Sequence, residues 1–94
     1  MLIETPYKVG DVVSVKLSSG EEVVARLESE DNNNVVLHKP MALVNAAQGI
    51  GLGPFMFTTA SENLKINTGL VMCVAKTEDN MSKSYTSSTT GIVT

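Results

Sequence analysis

Residues 13–37 read VSVKLSSGEEVVARLESEDNNNVVL, and the alternation inside this stretch decides the fold class. Val13, Val15 and Leu17 recur at every second position, with Ser14 and Lys16 between them. Val23, Ala25 and Leu27 repeat the pattern against Arg26 and Glu28, and Val24 alone interrupts the polar set. Successive side chains of a strand point to opposite faces, so this period marks half-buried strands. Ser18-Ser19-Gly20-Glu21 joins them through a turn whose glycine can take positive φ, making a hairpin. Glu30-Asp31-Asn32-Asn33-Asn34 is a second turn, because Asp and Asn bond their own backbone and tolerate left-handed geometry. A third strand, Val35-Val36-Leu37-His38-Lys39, runs into Pro40, whose missing N–H predicts a bend, a bulge or an edge.

Working outward, apolar character resumes through Met41-Ala42-Leu43-Val44. Residues 48–54, QGIGLGP, read as a long excursion or flexible hairpin, followed by Phe55-Met56-Phe57. The spacing of Gly49, Gly51 and Gly53 differs from GxGxxG, and no helix pattern follows, so a dinucleotide loop is not indicated. Leu64-Lys65-Ile66 is a short strand candidate. Leu70 to Ala75 is nearly continuous in apolar residues, which predicts a strand buried on both faces with Cys73 as a core thiol. Thr77-Glu78-Asp79 predicts a helix start with Thr77 as N-cap. Asp79 and Lys83 are spaced to pair, and Met81 and Tyr85 to share a face. Ser and Thr crowd residues 82–90, which predicts fraying, with the tail ordered only where Gly91-Ile92-Val93 docks. The chain therefore reads as one domain: a lead-in over 1–10, strands over 11–76, and a short helix with tail over 77–94.

Composition narrows the function. In a chain of 94 residues, 43% are hydrophobic but none is Trp, so the core is thin and oligomerisation is a natural way to bury more surface. The net charge of -3 argues against gripping duplex DNA through its phosphates. One Cys and one His give neither a disulfide framework nor a metal site, and no cofactor is indicated. An enzyme reading would rest on His38 alone, without a local nucleophile or orienting acid. On a strand, His38 is more simply a surface or interface residue, or a stacking platform for a nucleic-acid base. The acidic pairs lie beside turns and read as solvated charge. No run is long enough for a spanning helix and no signal-peptide pattern opens the chain, which predicts an intracellular, cytoplasmic protein without a membrane partner. The strand pattern alone also suits SH3-like and OB barrels.

The pattern Val13-x-Val15-x-Leu17-x-x-Gly20-x-x-Val23-x-Ala25-x-Leu27, then Asp31-x-x-Asn34-Val35-x-Leu37, resembles the first motif of Sm-like (LSm) proteins. The whole chain is similar to small Sm-like proteins of cyanophage origin in its LSSGEEVVARL, HKPMAL and GIGLGPFMF segments and in Tyr85 and Thr90-Gly91-Ile92. The resemblance implies a mostly β fold: a strongly bent five-stranded antiparallel barrel, here with a short C-terminal helix. It implies a cyclic homo-oligomer, a pentamer favoured, in the cytoplasm of an infected bacterial host. Single-stranded RNA is the implied ligand, bound by Asp31, Asn33, Asn34, Lys65 and Asn67, with His38 as a further candidate. The chain departs from the family pattern in three places, the first being that Asn34 comes one position early. Asn33 occupies the position of a stacking aromatic, and Lys65 or Asn67 stands in for the Arg of the second motif. The alternative is a phage structural or scaffold ring that binds no nucleic acid and docks through Phe55, Phe57 and the tail.

Overall fold

The computed structural model describes residues 6–46, 49–56 and 58–89. The elements run β1 (Val12–Leu17), β2 (Glu22–Glu30), β3 (Asn34–Ala46), β4 (Gly49–Pro54), β5 (Asn63–Asn67), a 3-10 turn (Thr68–Leu70), β6 (Val71–Lys76) and α1 (Asp79–Thr89). All strand pairings are antiparallel, in the order β4-β3-β2-β1-β6, with β5 also paired to β3. The protein is thus mostly β with one short C-terminal helix. The sheet has six strands, because the glycine-rich excursion forms a strand of its own, and among the described residues it is open.

The predicted hairpin is present. Val13 and Ala25, and Val15 and Val23, face each other across β1 and β2, and Gly20 turns the chain at φ 108°. These residues, with Leu17, Leu27, Val35, Leu37 and Ile66, form the main core. Val12 and Val24 point to the opposite face, where they form a second cluster with Tyr85 of α1, backed by Met41, Leu43, Leu52 and Met81. Val24, the apolar residue on the otherwise polar face, is therefore the floor on which α1 sits.

β3 bends where Pro40 predicts. Its first half pairs with β5 and its second half with β4. The change falls at Lys39, which adopts φ 50°, an uncommon conformation for a non-glycine residue. The β2–β3 register slips at the same place, between Val24 and Arg26. Three bonds hold the bend. Lys39 N–H donates to Glu62 O at 2.6 Å, Phe55 N–H donates to Pro40 O at 3.2 Å, and Lys39 Nζ donates to the Thr89 carbonyl at 2.7 Å. A cation on the last carbonyls of a helix also suits its dipole.

The slip leaves opposed backbone groups of Arg26 and His38 that Tyr85 joins. Its hydroxyl accepts from Arg26 N–H at 3.1 Å and donates to His38 O at 2.5 Å. Burial pushes the phenol pKa up, with the Arg26 backbone bond opposing.

Four expectations need correction. Leu70–Ala75 is not buried on both faces: β6 is the last strand of the sheet, and Met72 is 66% exposed and Leu70 55% exposed. Cys73 is exposed rather than a core thiol, because a bulge at Met72 leaves Val71 and Val74 to face the core and turns Cys73 toward Lys16 on the outer side. Thr77 is not the N-cap. It is buried with its hydroxyl 2.9 Å from that of Ser14, and Glu78 caps instead, accepting from Met81 N–H at 2.6 Å and Asn80 N–H at 3.1 Å. Met81 and Tyr85 do share a face. The serine- and threonine-rich helix continues to Thr89, with Thr86 and Thr89 hydroxyls donating to the carbonyls of Ser82 and Tyr85. The one ion pair among the described residues joins Lys39 to Glu62, not Asp79 to Lys83. Phe57 and the Thr90-Gly91-Ile92-Val93 tail lie outside the described residues.

Candidate functional site

Five of the six candidate residues come together where the β2–β3 turn meets the end of β5. Asp31 folds the turn: one carboxylate oxygen accepts from both Asn33 N–H and Asn34 N–H, each at 2.8 Å. Asp31 N–H closes the turn onto Asn34 O at 2.9 Å. Those backbone donors favour the charged form and, with a smaller contribution from Lys65, hold the Asp31 carboxyl below its ordinary value of 3.8.

β5 delivers the other partners. Asn67 is the register partner of Asn34, and Lys65 that of Val36. Asn67 Oδ1 accepts from Gly69 N–H at 2.7 Å, which shapes the 3-10 turn. Thr68 then clasps the two loops. Its N–H donates to Asn33 O at 2.9 Å, and its hydroxyl approaches Asn32 O at 3.0 Å and Asn33 O at 3.2 Å. The loops are therefore one unit whose backbone polar groups largely satisfy each other. The side chains of Asn32 and Asn33 lie exposed on it, beside Lys65 and Asn67. Amides donate and accept together, so such a surface suits the mixed edges of nucleobases.

His38 does not belong to this unit. It pairs with Asn63 at the far end of the β3–β5 ladder, four positions from the Asn34–Asn67 pair, or roughly 13 Å at the usual strand rise. Its Nδ1 lies 2.7 Å from Asn63 Oδ1. That partner is an amide rather than a carboxylate, so the constellation of a base with an orienting acid is not built there. Among the described residues, no three His, Cys, Asp or Glu side chains converge to hold a metal ion.

Thr68 was not singled out from sequence, although it joins the loops most directly. Its only sequence signal is a hydroxyl following Asn67 before a glycine, a local pattern that does not reveal a partner in a distant turn. No helix among the described residues is long and apolar enough to cross a membrane. No protein-family model and no curated protein matches the chain.

Proposed function

We propose that the chain is a subunit of an Sm-like homo-oligomeric ring, a pentamer favoured, that binds single-stranded RNA through the joined loops at Asp31–Asn34 and Lys65–Gly69. The observation that carries the reading is the clasp itself: two loops distant in sequence are fixed side by side, presenting exposed amides and one lysine. Preorganised polar groups of this kind bind without an ordering cost at the moment of contact.

The ring part of the reading draws on the margins of the sheet. β4 and β6 end it, each with one edge unpaired among the described residues, and Ile50 and Met72 are exposed along them. Exposed apolar edge strands invite pairing with another chain, and cyclic closure satisfies every copy alike. The bent β3 and the pairing of β1 with both β2 and β6 suit a strongly curved, barrel-like subunit. Native mass spectrometry at low salt, with and without a hexauridine RNA, tests the proposal. The expected result is one closed oligomer that gains one RNA mass. A monomer that gains none overturns it.

The net charge of -3 favours a second reading, a phage scaffold ring without nucleic-acid binding. In that case the oligomer forms, ignores RNA, and retains a protein partner through nuclease treatment of a lysate.

A further inference from the structure

A base is held well by stacking on a flat aromatic surface, and the β2–β3 turn, with Asn32, Asn33 and Asn34, offers none. A cleft of about 500 Å³ opens directly beside the loops, within the range of small-ligand sites. Phe55, Leu17, Ile66 and Leu70 form its apolar wall, and Lys65 and Asn67 belong both to this cleft and to the loop unit. Phe55 packs against the main core and is half-buried, which limits the freedom of its ring.

The polar groups around the cleft are asymmetric. Asn67 Oδ1 is already engaged by Gly69 N–H, which leaves its Nδ2 group as a donor. A donor without an adjacent free acceptor matches a base carbonyl. Glu21 also lines the cleft, on the side of the β1–β2 turn, where its carboxylate accepts from the Ser19 hydroxyl. Its charge repels phosphate, so a bound nucleotide directs its phosphate away from that turn and toward Lys65.

We propose that this cleft is a nucleobase site in which Phe55 stacks a pyrimidine, Asn67 donates to a base carbonyl, and Lys65 faces the phosphate. The site rests on the RNA-binding reading for its natural ligand, but its occupancy by a single nucleotide is measurable separately. Base–aromatic stacking predicts that Phe55→Leu weakens hexauridine binding about 5- to 150-fold. Because the phosphate contact remains, the salt dependence of binding should be unchanged.

The experiment has two arms: fluorescence anisotropy with labelled hexauridine on the wild type and Phe55→Leu, and methyl NMR of the wild type titrated with uridine monophosphate. Weaker RNA binding by the variant together with shifts at the Leu17, Ile66 and Leu70 methyls supports the cleft. RNA binding that is within twofold in Phe55→Leu, with those methyls unmoved, overturns the cleft and leaves the RNA-binding reading standing. Methyl shifts with the mononucleotide but no RNA binding support the cleft and overturn that reading. No response in either arm overturns both. Shifts that follow protein concentration alone identify a second copy as the occupant and overturn the base site. The NMR arm uses only the wild type, so it decides the matter even if Phe55→Leu folds poorly.

Discussion

The two faces of the sheet are buried by different means. On the inner face, Val13, Val15, Val23, Ala25, Leu27, Val35 and Leu37 meet by strand alternation alone, each strand supplying its share to one cluster. On the outer face, Val12 and Val24 cluster with Tyr85, which α1 lowers onto the sheet, with Met41, Leu43, Leu52 and Met81 packed around them. The inner face is continuous apolar packing. The outer one depends on a hydroxyl placed between two backbone groups as well as on a ring. A fold that buries one face through repetition and the other through a single anchor should respond very differently to mutations in the two places.

The largest expected effect is on the inner face. Leu37→Ala should cost about 2–5 kcal/mol in urea unfolding, the range for a cavity in packed surroundings. A loss well below that range would mean the inner cluster can collapse, and would erase the contrast. Tyr85→Phe sharpens the comparison from the other side. The ring stays but Arg26 N–H and His38 O lose their shared partner, so about 1–3 kcal/mol should be lost, and exchange at the Arg26 amide should accelerate. An unchanged midpoint would reduce Tyr85 to a greasy cover. Met72→Lys probes the margin where neither mechanism operates. It should leave the stability of the chain within about 0.5 kcal/mol and, if the proposed ring forms through this margin, lower the oligomer mass in native spectrometry. Smallest of all is the loop effect. The depressed Asp31 pKa contributes stability that is present above the ordinary value of 3.8 and is lost as pH falls through the depressed value. NMR titration should find the Asp31 carboxyl titrating below 3.8, and Asn33→Ala should leave that curve in place because the bond comes from the backbone.

The inner face was legible in the sequence because period-two alternation is a local signal. The Gly20 turn, the Asp31 turn and the Pro40 bend were legible for the same reason: the residue that makes each feature is the residue that shows it. The outer face was not. Tyr85 and Met81 could be placed on one side of a helix, but that the helix would land on Val12 and Val24 depends on partners far away in the chain. Cys73 and Met72 misled because an apolar run has the same composition at the margin of a sheet as inside it. At the candidate site, the β2–β3 turn and the β3–β5 register place Asp31, Asn34 and Asn67 together. His38 does not join them, because the ladder register separates it from the loops. Thr68 and the cleft beneath Phe55 arise from contacts between segments, which no single window of residues contains.

The double pairing of β1 also sets a timetable. Its partner β2 follows after one short turn, whereas β6, paired along its other side, comes only after every other strand. Contacts distant along the chain form late, because their loop must close before they reward it. During translation the β1–β2 hairpin must therefore wait on the order of several seconds at ordinary elongation rates, one side of β1 open to any competing strand. Ribosome-arrested chains halted before residue 71 should remain sensitive to protease across β1, and become resistant once β6 has emerged. In a crowded cell, where sister chains are synthesised nearby on one message, that interval is when a β6 from the wrong copy can arrive first.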